Sequence, residues 1–219
     1  MRNSTSRPLT ITEIYPCILG ESTHAGKPCV LVRLTGCNLR CVYCDTEFSF
    51  HGGTKRSVAE VIEEVKSHRL ASVLITGGEP LLQEGAIELT DRLLRDNHEV
   101  IIETGGSIDI EAVPRGAVII LDVKCPGSGE SHRMEWSNLD KLRERDEVKF
   151  VIRDRSDYDW SRSIIDRYHL IGRASILFAP TFGELDPRDL ARWMISDCVG
   201  ARLQIQIHKY IWEPDARGV

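Results

Sequence analysis

Gly36-Cys37-Asn38-Leu39-Arg40-Cys41-Val42-Tyr43-Cys44-Asp45-Thr46 is the stretch from which the rest of this chain can be read. Three cysteines fall within eight residues, separated by three and then two others, on a loop directly after an apolar strand expected over residues 28–34. Thiolates bind zinc or iron-sulfur clusters, and structural sites of either kind normally take four protein ligands. No fourth ligand follows at a matching spacing: His51 is the one nearby candidate, and Cys17, Cys29, Cys125 and Cys198 are single and scattered. If three thiolates hold a cubane cluster, one iron stays open to a ligand that is not protein. Such a site is reactive rather than structural.

Working outward, residues 9–14 alternate apolar and polar, the period of a half-buried strand, and run into a loop over residues 15–22. Arg33 lies on the otherwise apolar second strand and needs an acceptor, either an ion-pair partner or a substrate carboxylate gripped by its fork. Beyond the cysteine loop, Ser57-Val58-Ala59-Glu60 is a capping box, and Val58, Val61, Ile62 and Val65 follow at helical spacing. A short apolar strand over residues 72–76 ends in Gly77-Gly78, where the missing side chains let backbone approach a ligand. A helix is expected over residues 81–97, a strand over 99–103 ending in Thr104-Gly105-Gly106, and a near-continuously apolar strand over 117–123. Further helices are expected over residues 137–146, 156–169 and 186–197, and further strands over 147–152, 175–178 and 202–207.

Strands and helices that alternate in this way describe a parallel sheet wrapped by helices. The polar and glycine-rich clusters, Gly36, Thr76-Gly77-Gly78, Thr104-Gly105-Gly106 and Asp122-Val123-Lys124, all stand at carboxyl ends of strands, the edge where parallel α/β folds bind ligands. The strands are too few for a full eightfold barrel. The expected fold is therefore α/β, an incomplete (β/α) barrel with a mostly parallel sheet, in a single domain over residues 1–219.

Composition limits the function classes. The chain is 42% hydrophobic and 28% charged, ordinary for a soluble globular protein, and its net charge of −5 argues against a nucleic-acid binder. No apolar run is long enough to span a membrane and residues 1–8 lack a signal peptide's apolar core, so a cytoplasmic protein is expected. Seven cysteines, an odd number, point to metal or redox chemistry rather than a disulfide framework.

The cysteine triad followed by Asp45-Thr46, with Thr76-Gly77-Gly78-Glu79-Pro80 one helix later, resembles the radical S-adenosylmethionine (SAM) enzymes. The resemblance implies a 4Fe-4S cluster whose open iron is chelated by SAM, and reductive cleavage of the sulfonium to a carbon radical. A three-cysteine zinc knuckle would leave Gly77-Gly78-Glu79 unexplained. Within that superfamily, four segments are similar to the 7-carboxy-7-deazaguanine synthases: Glu13-Ile14-Tyr15 with Ile18-Leu19-Gly20-Glu21-Ser22-Thr23, Gly26-Lys27-Pro28-Cys29-Val30, Arg33-Leu34-Thr35-Gly36-Cys37-Asn38, and Gln206-Ile207-His208-Lys209-Tyr210.

This closer resemblance implies conversion of 6-carboxy-5,6,7,8-tetrahydropterin to 7-carboxy-7-deazaguanine with loss of ammonia, using SAM, one 4Fe-4S cluster and Mg2+. It also implies a homodimer, a small-molecule pterin substrate, and a reductant such as flavodoxin or ferredoxin. Cys37, Cys41 and Cys44 would hold the cluster. Tyr43, Cys44, Asp45, Gly78, Glu79 and the run Asp122, Val123, Lys124 would lie against SAM, the Glu79 carboxylate suiting the methionyl ammonium. Thr46 would ligate Mg2+, Arg33 would pair with the pterin carboxylate, and Ile18, Leu19, Gly20 and Thr76 would touch the pterin. Leu19, where the family usually has glutamine, and Ala179-Pro180, where it often has Gln-Pro, depart from the pattern. Taken by themselves, Asp45 and Thr46 could instead satisfy loop backbone, His208 could be an ordinary strand-end histidine, and Cys125, Trp193 and Trp212 read as packing residues. A radical enzyme that activates a partner protein's glycine, and a non-catalytic metal-binding module, are the competing functions.

Overall fold

The computed structural model describes residues 7–219; the expectation for residues 1–8 falls largely outside them. Among the described residues nine strands form one open sheet in the order β3-β1-β2-β4-β5-β6-β7-β8-β9. These are β1 (Leu9–Ile18), β2 (Pro28–Leu34), β3 (Thr54–Arg56), β4 (Ser72–Gly77), β5 (Glu99–Thr104), β6 (Val118–Asp122), β7 (Glu147–Ile152), β8 (Ser175–Pro180) and β9 (Arg202–Leu203). From β2 through β4 to β9 the strands run parallel in chain order, and β1 is antiparallel to both β2 and β3. The helices are α1 (Val58–Ser67), α2 (Gly85–Arg95), α3 (Asn138–Lys141), α4 (Arg155–Arg167), α5 (Pro187–Ser196) and α6 (His208–Ile211). The incomplete barrel expected from the strand count is what forms.

Period-two alternation sorts the strand residues between two faces. On the outer face Val30, Val32, Val73, Ile75, Val100, Ile102, Phe150 and Ile152 join the apolar stripes of α1, α2, α4 and α5 in the main core. On the inner face a smaller apolar layer, Leu31, Leu74, Ile101, Val118 and Ile120 with Leu19, forms a floor. One step further along the strands the inner positions turn polar: Arg33 pairs in register with Thr76, and Asp122 with Lys149. That switch from apolar to polar makes the carboxyl edge a site.

The open side is bridged by the loop between β1 and β2. Ser22 N donates to Gln204 Oε1 (2.8 Å), Thr23 N to Glu147 Oε1 (3.1 Å), and Ile207 N to Gly20 O (3.0 Å). The loop thereby ties the first strands to β7 and to the segment after β9.

Several boundaries differ from the sequence reading. β1 continues to Ile18 through Pro16, because β3 covers only Leu9 to Ile11 and leaves the Pro16 position on a free edge. β3 itself is three polar residues with no apolar pattern to betray it. The helix expected over residues 81–97 starts at Gly85, since the Gln83 side chain is held by Thr10 and Thr35 backbone groups. The helix expected over residues 137–146 is only Asn138–Lys141, because Asn138 caps the 108–110 backbone and Asp146 accepts Ile119 N and Arg143 N. The last strand stops at Leu203, beyond which Gln204 and Gln206 turn toward Glu21.

Candidate active site

The cysteine loop leaves β2 through Gly36, whose φ of +99° lies in the region that favours glycine. Gly36 N donates to Ser49 O and Gly36 O accepts from Glu79 N, both at 2.8 Å, so the loop is stitched to the end of β4. Arg40 N is held by Glu130 Oε1, Val42 N by Ser128 O, and Cys44 N by Cys41 O. Three thiols thus reach one cavity of about 820 Å³ at the carboxyl edge. Burial pushes the Cys37 thiol up and the Cys41 thiol to about 11.

Three cysteines of one loop at one cavity are a donor set of the kind that holds an iron-sulfur cluster. Among the described residues no three His, Cys, Asp or Glu side chains converge on a single ion, and sulfurs bound to one zinc would stand about 4 Å apart, given Zn–S bonds of about 2.3 Å. His51, the candidate fourth ligand, is exposed and stands off the cavity wall. Leu39 N donates to Cys37 Sγ at 3.4 Å, the kind of contact that stabilises a ligating thiolate.

Gly78 packs so tightly on this loop that a Cβ there would stand 2.3 Å from Gly36 O and 2.6 Å from the Cys37 Cβ. Glu79 is placed differently from the sequence expectation. Its carboxylate is fully buried and accepts from Leu81 N (3.0 Å), Gly105 N (2.7 Å) and Thr104 Oγ1 (2.9 Å), joining the ends of β4 and β5 from behind the cavity. It does not line the cavity. Burial raises its pKa above the ordinary carboxylate value in spite of these donors.

A polar rim faces the thiols. Arg33 Nε donates to Glu13 Oε1 at 2.6 Å and its guanidinium lies 5.6 Å from the Phe48 ring, so the ion-pair partner is present and the guanidinium still borders the cavity. Thr76 Oγ1 donates to Glu103 Oε2 (3.2 Å). Lys149 Nζ bonds Glu103 Oε1 and Glu21 Oε2 (2.9 Å) and approaches Asp122 Oδ2 (3.4 Å), which also takes Lys124 Nζ (2.9 Å). Burial alone would raise the Asp122 carboxyl, but Lys124 and Lys149 hold it below its ordinary value; burial likewise opposes Lys124, yet Asp122 holds that ammonium above its own. Two buried atoms in this region, Tyr43 OH and Asp122 Oδ1, have no partner among the described residues. Both residues line the cavity, as a site that completes itself with a polar ligand requires.

The structure brings most of the other expected residues to the same cavity. Ile18, Leu19, Gly20 and Thr46 line it; Leu19 is 2% exposed and belongs to the apolar floor, which accounts for an aliphatic residue there. Asp45 takes Lys209 Nζ (3.1 Å) and Gln206 Nε2 (3.3 Å), anchoring the C-terminal segment to the cysteine loop. Val123 is the exception in its run: it is buried in the outer core, and only Asp122 and Lys124 reach the cavity. His208 is on α6 rather than at a strand end, and its ring occupies the space above Gly20 where a Cβ would stand. Cys125 is buried against Ser161, and Trp193 packs on Tyr158 as a core residue, whereas Trp212 is 45% exposed at the cavity mouth.

Sequence reasoning missed the acidic and basic partners Glu21, Glu103 and Lys149. A signal was available in β7, Glu-Val-Lys-Phe-Val-Ile, where a lysine interrupts a strand that should be buried on both faces.

An open parallel half-barrel with a three-thiol loop after its first parallel strand and a glycine pair after the next defines the radical SAM class, and the radical SAM superfamily model matches residues 31–116. The crystal structure of QueE from Escherichia coli has the same fold, with a TM-score of 0.74 and 21% identity over 91% of this chain and 94% of that one. Among curated relatives, the 7-carboxy-7-deazaguanine synthase of Koribacter versatilis is 43% identical, covering 96% of this chain and all of the relative. That of Chlorobaculum tepidum is 42% identical over 99% of this chain and all of the relative. Identity at this level over full length shows that the chain belongs to the 7-carboxy-7-deazaguanine synthase family.

Proposed function

We propose that this chain converts 6-carboxy-5,6,7,8-tetrahydropterin to 7-carboxy-7-deazaguanine with loss of ammonia, on the route to queuosine and related deazapurines. The observation that carries the reading is one cavity with three thiols on one wall and Arg33, Thr76 and Glu103 on another, in a chain related over its whole length to enzymes of that name. Cys37, Cys41 and Cys44 would hold the 4Fe-4S cluster, and the cluster with SAM would supply radical chemistry, one electron splitting the sulfonium into methionine and a primary carbon radical able to abstract hydrogen.

The remaining work falls to this chain's residues. Arg33 offers its fork to the pterin carboxylate. Glu103 and the Ile18 to Gly20 backbone offer acceptors to the donor edge of a 2-amino-4-oxopyrimidine, and Thr76 a hydroxyl. Tyr43, Gly78, Asp122 and Lys124 border the SAM side. Thr46 would give one hard oxygen to Mg2+, an ion that keeps much of its hydration. The floor of Leu31, Leu74, Ile101 and Ile120 keeps the reacting carbons dry and limits side reactions.

A flavodoxin or ferredoxin reductant, a homodimer and a cytoplasmic location complete the proposal; no helix among the described residues is long and apolar enough to cross a membrane. The test is anaerobic reconstitution followed by incubation with SAM, dithionite, Mg2+ and the carboxypterin. Deazaguanine detected by mass supports the reading. Its absence, in protein that still cleaves SAM, overturns it.

A further inference from the structure

The polar rim holds one group that the proposed reaction leaves without a role. Lys149 stands mid-strand in β7, between Val148 and Phe150, which point to the outer core, and is 5% exposed. Its ammonium donates to Glu21 on the bridging loop and to Glu103 on β5, and it forms an ion pair with Asp122 on β6 at 3.4 Å. An ammonium gripped by two carboxylates and beside a third acts first through the groups it holds.

We infer that Lys149 is a positioning residue: it fixes the Glu21 and Glu103 carboxylates on the pterin side of the cavity and ties them, through Asp122, to Lys124 on the SAM side. This deepens the proposed function and rests on it for the identity of the substrate. Glu103 has one oxygen on Lys149 and the other on Thr76, which turns the carboxylate along the cavity wall. Glu21 is held on the far side by Gln204 Nε2 (3.0 Å) and Gln206 Nε2 (2.7 Å). Among the described residues, Lys149 is the one cation that touches both glutamates. Without it, two half-buried like charges would share the cavity wall with no cation between them, and they would move apart or take up a proton. Glu21 comes from the loop that bridges the open side of the barrel, so the same ammonium also fixes the distance between that loop and β5.

The experiment compares wild-type protein with Lys149→Met, Lys149→Gln and Lys149→Arg, by crystal structure and by titration of turnover with the carboxypterin. Melting temperatures and iron content serve as controls. The expected result is a KM raised about tenfold or more in Lys149→Gln and Lys149→Met, as for loss of buried charge-assisted hydrogen bonds. Lys149→Arg should recover most of the affinity, and the Glu21 and Glu103 carboxylates should separate in the neutral variants. A role confined to stability would instead lower the active fraction, hence kcat, at unchanged KM. Unchanged KM in the neutral variants, or carboxylates that keep their wild-type positions in them, overturns the inference. If wild type turns over no carboxypterin, the proposed substrate fails, and the crystallographic comparison alone decides whether Lys149 positions the two glutamates. Lys149→Gln, which retains length and a donor, answers both questions should Lys149→Met not fold.

Discussion

Thr104 Oγ1 lies 2.9 Å from both carboxylate oxygens of Glu79, and both residues are buried at the joined ends of β4 and β5. Leu81 N and Gly105 N also donate, so each carboxylate oxygen accepts a backbone N–H as well as the Thr104 hydroxyl. Glu79→Gln should therefore turn an NH2 group toward at least one N–H and cost about 1–3 kcal/mol of stability. A urea or thermal melt reads this. A carboxylate that served only to bind the methionyl ammonium would give the opposite pattern, an unchanged melt with weakened SAM binding.

Arg33 is held by Glu13 through Nε while bordering the cavity, so the scaffold orients the guanidinium before a substrate arrives. Arg33→Ala should spare reductive cleavage of SAM without substrate and raise the KM for the carboxypterin by about 10- to 100-fold, the worth of a charge-assisted bidentate contact. Steady-state kinetics beside a 5'-deoxyadenosine assay separates the two effects. Equal loss of both activities would show that Arg33 shapes the fold rather than the substrate site.

Asp122 and Glu21 have folded-state pKa values held below the ordinary range: burial opposes ionisation of each, and Lys124 with Lys149 for the former and Lys149 for the latter outweigh it. A carboxyl depressed in this way contributes stability that is fully present above its unfolded value, about 4, and is lost as pH falls through its folded value. Glu79, raised by burial, works in the opposite sense, its protonation favouring the fold as pH falls toward 4. Asp122→Asn should be less stable than wild type by about 3 kcal/mol near neutrality, because two ammoniums lose their shared partner. That gap should narrow as pH falls below about 4, where wild type loses the same charge. Melts of the two proteins from neutral to acid pH measure the gap; a constant difference would place the effect in packing.

Thr46 Oγ1 stands 3.7 Å from Cys44 Sγ at the cavity wall, while its carbonyl accepts Ser49 N and Ser49 Oγ. The backbone of Thr46 thus carries the local structure, and the hydroxyl is not needed for it. Thr46→Val should keep the loop and the iron content, and weaken magnesium activation of turnover about tenfold or more. Rates titrated with MgCl2 in both proteins provide the measurement, and full retention of magnesium activation in the variant would remove Thr46 as a ligand.

The parts of this molecule that the sequence made legible are those written in local pattern. Apolar runs located β2, β4, β5, β6 and β7, and the capping box at Ser57 placed α1, where both reciprocal hydrogen bonds form. The thiol triad and Gly77-Gly78 marked the carboxyl edge before any coordinates. What escaped is written in tertiary contacts. Glu21, Glu103 and Lys149 are far apart in sequence, and each is unremarked alone; only the parallel register brings them to one point. A motif names Glu79 and not the direction its carboxylate takes, and in the structure that carboxylate accepts from Thr104 and Gly105. Val123 sends its side chain into the outer core, because a run of three residues at a strand end cannot send all its side chains to one side.

Gly78 offers the most direct test of how the cysteine loop is held. Its φ is not left-handed, so glycine is not required there by backbone conformation; the requirement is space. A Cβ would meet Gly36 O at 2.3 Å and the Cys37 Cβ at 2.6 Å, and the first of these is backbone, which cannot rotate out of the way. Gly78→Ala must therefore push the end of β4 away from the loop. That movement would strain the Glu79 N to Gly36 O bond and displace the first thiol from its two partners. Overpacking of this kind costs about 1–3 kcal/mol, modest beside the stability of a folded domain, so the variant should fold and melt somewhat lower. Its cluster content should fall much further, because three sulfurs must meet one cubane and a shift of one is enough to spoil the fit. Iron and sulfide per chain after anaerobic reconstitution, with the absorbance near 400 nm, would register the loss. A Gly78→Ala protein that takes up a full cluster would show that the loop is set by Ser49, Ser128 and Glu130 alone, and that the glycine pair serves the ligand and not the thiols.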